Sequence, residues 1–190
     1  MINQDKTDRV MIFIDGSNLY YILKDFYGKK LASSDPSVNL NFKRFIEKIG
    51  KDRKLIRTYY YNAILDRSFD KERYMKQQKF FENLRAIPDF EVIMCRMQKN
   101  IVNGRAEYSV KGDDIHIAVD MVRLAFTNAY DTAILISSDG DFVPAIKAVK
   151  EIGKRVENIG FPNKFSWHLR KTCDRFSQFG DEELLDCQAA

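Results

Sequence analysis

Short apolar runs alternate with amphipathic stretches along most of this 190-residue chain. Residues 10–14, VMIFI, are continuously apolar, which predicts a strand buried on both faces. The same reading places strands at 55–63, 90–95, 132–136 and 155–160, and helices at 17–27, 42–50, 69–87, 113–127 and 141–152. In the third helix Phe80, Leu84 and Ile87 recur at i, i+4 and i+7, giving one apolar face. Pro144 falls in the first turn of the fifth helix, where a missing N–H is harmless, and Gly153 closes it. Strands alternating with helices predict an α/β fold with a central parallel sheet and helices on both faces. The segment 97–111 breaks the alternation, because Asn103-Gly104 is a hairpin turn between strand-like flanks. With no repeats, low-complexity tracts or linkers, the chain reads as one domain over 1–190. Its core spans about 9–178, and 181–190 is expected as a peripheral tail or short helix.

Two of the strands run into acids. Residues 10–14 lead to Asp15-Gly16-Ser17-Asn18, and 132–136 to Ser137-Ser138-Asp139-Gly140-Asp141. Ligands of open α/β sheets bind outside the carboxyl ends of the strands, so neighbouring positions for these two would bring Asp15, Asp139 and Asp141 to one rim. Turn and helix-cap chemistry explains either motif equally well on its own. On the helix at 113–127, His116, Asp120, Arg123 and Thr127 share one side, and Ala118, Met121 and Ala125 the other. Asp114 lies on the apolar side in the first turn. Capping does not require that direction, and Asp113 is available as the cap. Asp120 reads as an i, i+3 partner of Arg123.

Four carboxylates held together persist either by holding protons or by binding cations. At about 5 Å and an effective dielectric near 20, each pair repels by about 3 kcal/mol. Hard divalent cations relieve that repulsion, and an all-oxygen donor set suits magnesium or manganese, ions that support displacement at a phosphodiester. His116 and His168 read as structural or solvated, which leaves no zinc set.

Composition narrows the picture further. A net charge of +4 permits a polyanionic partner without demanding one. Cys95, Cys173 and Cys187 are odd in number and widely spaced, so they read as reduced thiols in a cytoplasmic protein. No apolar stretch approaches the roughly 20 residues that span a bilayer.

These motifs resemble the NYN domain, the branch of the PIN-like nucleases that includes the LabA-like proteins. Its D-G-x-N, K-G-x-D, S-x-D-x-D-F and G-K-R-V steps are matched by 15–18, 111–114, 137–142 and 153–156. Ser166, Leu169, Asp174 and Phe176 match its C-terminal pattern, and 60–63 is similar to its second strand. The resemblance covers about 9–178. It implies a Rossmann-like PIN fold with sheet order 3-2-1-4-5 and a magnesium- or manganese-dependent ribonuclease site. Carried over by position, Asp15, Asp114, Asp139 and Asp141 hold the metals, and Asn18 and Ser138 orient ligands or water. Asp113 stands where the LabA-like pattern is usually apolar, and the additional helical glutamate of many toxin-type PIN domains has no clear counterpart.

The expected partner is single-stranded RNA, with Lys111, Arg96, Lys99 and Arg105 as candidate phosphate contacts. A homodimer contact is the alternative use of the hairpin. Tyr59, Tyr60 and Tyr61 alternate in direction and read as sheet packing. A dehalogenase-type phosphatase would need an acid at position 17, which is serine. A D-x-S-x-S adhesion site would need serine at position 19, which is leucine. The competing reading from another class is a PIN-like module that binds RNA or regulates without catalysis.

Overall fold

The computed structural model describes residues 7–31, 40–68, 70–102 and 105–189, with the backbone path alone for 29–31, 96–102 and 105–111. Seven strands, β1 (Arg9–Asp15), β2 (Lys54–Ala63), β3 (Phe90–Val102), β4 (Arg105–Lys111), β5 (Thr132–Ile136), β6 (Arg155–Gly160) and β7 (Arg175–Gln178), form one sheet in the order β4-β3-β2-β1-β5-β6-β7. All neighbours are parallel except β3 and β4. The five expected strands therefore appear in the expected order, with the hairpin added at one edge and β7 at the other. The turn residues Asn103 and Gly104 lie outside the described residues, but Val102 pairs with Arg105 across them.

Helices α1 (Gly16–Leu31), α2 (Phe42–Gly50), α3 (Lys71–Arg85), α4 (Asp113–Phe126), α5 (Val143–Glu151), α6 (Trp167–Thr172) and α7 (Asp181–Asp186) cover the sheet. A 3-10 turn, Gly140–Phe142, precedes α5. Strand alternation sorts the core into two layers. Val10, Ile12 and Ile14 pack with α1, α2 and α3 on one face, while Met11 and Phe13 pack with α4 and α5 on the other. Every side chain of β5 is buried, as expected for a central parallel strand. Burial of one such Ile or Leu contributes about 1.5–3 kcal/mol. Side-chain oxygens of Asn41 and Asp70 accept from the N–H of Arg44 and Arg73, fixing the starts of α2 and α3.

Three local features refine the expectations. In α3 Leu84 is buried and Phe80 and Ile87 pack partly buried on the same core, as expected, and Phe81 joins that face fully buried. The six residues of α6 were not expected as a helix. They start at Ser166, whose hydroxyl accepts from Leu169 N–H. The segment after 180 forms the short helix α7, one of the two expected forms, and it is packed rather than a loose tail. Leu184 and Cys187 are buried, Tyr27 donates its hydroxyl proton to the Leu184 carbonyl, and Asn41 N–H donates to the Cys187 carbonyl. The three cysteines are free thiols. Among the described residues no helix is long and apolar enough to cross a membrane.

Candidate active site

β1 and β5 lie side by side, with Ile14 opposite Ile136, so Asp15 and Ser137 occupy the next step on adjacent strands. Asp15 shares its face of the sheet with Met11 and Phe13, the face that α4 covers. Its side chain is almost fully buried, yet both oxygens are engaged. Oδ1 accepts from Asn18 N–H at 2.9 Å and Oδ2 from the Ser137 hydroxyl at 3.0 Å. The same Ser137 oxygen accepts from Asp139 N–H at 3.1 Å, which makes this hydroxyl the hinge between the two acidic loops. Asn18 closes the gap a second time, its Oδ1 accepting from both the N–H and the hydroxyl of Ser138. From β6, the buried Asn158 amide donates to the carbonyls of Leu135 and Ser137 and pins the end of β5. Gly16 is required by space. A Cβ there would sit 2.5 Å from a Tyr60 ring carbon and from the Tyr61 carbonyl oxygen.

α4 brings the other acids. Its buried stripe is Asp113, Ile117, Met121, Leu124 and Ala125, so the more deeply buried acid is Asp113, and Asp114 is half-buried beside it. This corrects the expectation that Asp114 is the core-facing residue. Asp113 accepts from the Ser17 hydroxyl at 3.2 Å. The helix itself starts at Gly112, in the left-handed region at φ 91°, with no side-chain cap. Neither acid makes a cap hydrogen bond, although both stand in the first turn, where the helix dipole favours a carboxylate. Asp15 and Asp139 do carry cap bonds, the latter accepting from Asp141 N–H at 2.9 Å, while Asp141 itself is exposed.

The acids sense one another. Burial pushes Asp15 up to about 6 against the hydrogen bonds from Asn18 and Ser137, and the charges of Asp114 and Asp113 add to the rise. Asp114 also rises to about 6, first through burial and then through the charges of Asp113, Asp139 and Asp141. Cys95 lies in the same field, its thiol pushed up to about 11 by burial and by Asp113, Asp114, Asp120 and Asp15. The donor set is oxygen throughout, the chemistry of a hard cation. Among the described residues, however, no three His, Cys, Asp or Glu side chains stand close enough to hold a metal ion.

This arrangement of acidic loops at the carboxyl ends of two central strands coincides with a family match. The NYN domain profile matches residues 9–180. The chain belongs to the NYN domain family. It thereby falls within the PIN-like nuclease superfamily. It is similar to the low amplitude and bright protein LabA of Synechococcus elongatus, at 25% identity over 93% of this chain and 86% of that protein, which agrees with a LabA-like branch. An uncharacterized protein of Methanocaldococcus jannaschii is 40% identical over 38% of this chain, a stretch that makes up 30% of that protein's own length. The crystal structure of a protein of unknown function from Vibrio parahaemolyticus superposes with a TM-score of 0.70 at 26% identity, covering 99% of this chain and all of the other.

Around this NYN rim the remaining candidates separate. Asp120 pairs with Arg123 at 2.9 Å, as expected, and also accepts from the Tyr61 hydroxyl at 3.0 Å, so both of its oxygens already have partners. His116 is exposed on α4, and His168 stands beside Gly140. Ser17 and Asn158 are site residues that the motifs do not mark, and Ser137, the serine that opens the matched S-x-D-x-D-F step, carries a role that the motif alone does not assign. For Ser137 the parity of β5 against β1 was the available signal. In the hairpin, Arg96 pairs with Lys111 at the base and Val102 with Arg105 at the tip, while their side chains and that of Lys99 lie outside what is described. If the hairpin is a substrate arm, replacing Arg96, Lys99 and Arg105 together weakens RNA binding and lowers its logarithmic salt slope by roughly two. An unchanged slope in a binding titration would leave the hairpin as a sheet extension or a homodimer contact.

Proposed function

We propose that this NYN domain is a ribonuclease that hydrolyses phosphodiester bonds of single-stranded RNA with magnesium or manganese at Asp15, Asp114, Asp139 and Asp141. The observation that carries the reading is Asp114. It makes no cap hydrogen bond, and its carboxyl is raised first by burial and then by the charges of Asp113, Asp139 and Asp141. A helix that needed only a first-turn charge has no reason to meet three further acids. In this reading the four aspartates bind the cation, and Asp113 adds charge from behind. Asn18 and Ser138, bonded to each other, orient the loops against substrate or water. When bound, magnesium or manganese supplies an activated water and stabilises the charge of in-line displacement at phosphorus. Lys111, Arg96, Lys99 and Arg105 are the proposed phosphate contacts.

The second reading, a PIN-like module that binds RNA or regulates without cleaving it, is favoured by one observation: among the described residues no three acids stand close enough to hold an ion. Incubation of the purified protein with generic single-stranded RNA, with and without manganese, separates the two. Manganese-dependent cleavage supports the ribonuclease. Saturable binding with no cleavage at any manganese concentration assigns the protein to the second reading.

A further inference from the structure

A cluster of aromatic and cationic side chains lies next to the acidic rim and takes no part in it. Trp167 opens α6 and is 55% exposed, with Phe165 38% exposed just before it. The Arg170 guanidinium carbon sits 5.3 Å from the ring centroid of Trp167, 5.3 Å from that of Phe176 and 6.0 Å from that of Phe165. Lys171 places its Nζ 5.3 Å from the Trp167 ring. Phe165 and Phe176 close on each other at 5.6 Å over Gly160, where any Cβ would come within 2.8 Å of both. Among the described residues neither Arg170 nor Lys171 forms an ion pair with a carboxylate.

The cluster is fixed next to Asp139 and Asp141. A Cβ on Gly140, between those two acids, would lie 3.4 Å from the Ser166 hydroxyl oxygen and 3.7 Å from His168 Cδ2. The residues on either side of Trp167 therefore rest against the acidic turn. A polyanion whose scissile phosphate sits among carboxylates needs cations near them, and Arg170 and Lys171, on the helix that rests against the acidic turn, have no acidic partner among the described residues.

We infer that Trp167 and Arg170 form a nucleotide subsite for single-stranded RNA, in which a base flanking the acidic rim stacks on Trp167 and the Arg170 guanidinium takes an adjacent phosphate. The inference rests on the RNA-binding part of the function proposed above. An arginine held between rings has already lost most of its side-chain freedom and presents a planar fork suited to phosphate. An exposed indole beside it is a stacking platform that takes any base but requires the base to be unstacked, so a duplex does not satisfy it. Core packing does not account for the pair, because both side chains are exposed.

Trp167 is the only tryptophan in the sequence, so its fluorescence reports on this site alone. A short oligoadenylate RNA, titrated in the presence of a chelator so that the strand stays intact, is expected to quench that emission saturably. The same strand annealed to its complement is expected to quench it weakly. By an independent binding readout, Trp167→Ala weakens oligoadenylate affinity about 5- to 150-fold, the range of one lost base stack, and Trp167→Phe restores most of it. Arg170→Gln lowers the logarithmic salt slope by about 0.7. Saturable binding with unchanged emission, equal quenching by duplex, or unchanged affinity in Trp167→Ala overturns the subsite. Cleavage is scored separately. A protein that quenches as described but never cuts RNA keeps the subsite and loses the ribonuclease, and one that cuts with Trp167 unperturbed does the reverse.

Discussion

Asp114→Asn and Asp139→Asn are each expected to lower manganese-dependent RNA cleavage by about a hundredfold or more while leaving the fold intact, since removal of a group that stabilises transition-state charge costs on this order. Asparagine keeps the size of the side chain. At position 139 it also keeps the capacity to accept from Asp141 N–H. At position 114 no cap bond exists to be lost, and the substitution removes a charge that Asp113, Asp139 and Asp141 all oppose. Thermal melting of the metal-free variants should therefore match the parent or exceed it slightly. A pair of capping acids would behave in the opposite way, losing up to about 1 kcal/mol of stability with cleavage unaffected. Cleavage rates and melting curves on the same preparations decide between them.

The second large effect is on pH. The unfolded chain titrates its aspartates near pH 3.9, whereas Asp15 in the folded protein is raised to about 6. Between those values the folded state holds more protons than the unfolded state, so stability falls as pH rises from about 4 to about 6 and stays low above that. For Asp15, nearly fully buried, the loss is about 3 kcal/mol. Asp114 shifts in the same direction but is more exposed, so solvent screening reduces its contribution. The hydrogen bonds from Arg9 hold Asp131 below the usual carboxylate range, and its stabilisation is complete above the unfolded value and lost only in stronger acid. It does not mask the window. Urea unfolding of the metal-free protein across this range should show the decline, and Asp15→Asn should flatten most of it. Stability that rises through the window would show that these acids are not held against their own charge.

The strands were legible because continuous apolar runs such as 10–14 and 132–136 leave few alternatives to a buried parallel sheet. β7 and α6 were not. The side chains of β7 are half-buried or exposed, and α6 buries only Leu169, so neither carries a strong period. The acids at the ends of β1 and β5 were legible as a pair, but not their double use. In Asp15 and Asp139 a carboxylate oxygen caps a turn, and nothing in a Ser-Asp or Asp-Gly step says whether the group also meets other acids. The buried face of α4 is turned from the expected one toward Asp113, because alanines such as Ala118 and Ala125 have little area to bury. Ile117, Met121 and Leu124 bury more area, and they turn the helix so that Asp113 faces inward. The Trp167–Arg170 cluster had no sequence signature, since its third ring, Phe176, arrives from β7.

The claim on which the rest depends is that these aspartates are held together to bind a cation. Melting temperature across a manganese titration at neutral pH, for the parent, Asp114→Asn and Asp139→Asn, tests it most directly. An ion bound only by the native state stabilises by mass action, by about 2.7 kcal/mol at a hundred times its dissociation constant. The parent should climb along that curve, and the two variants should climb far less. Equal manganese-induced shifts in all three proteins would contradict the metal site.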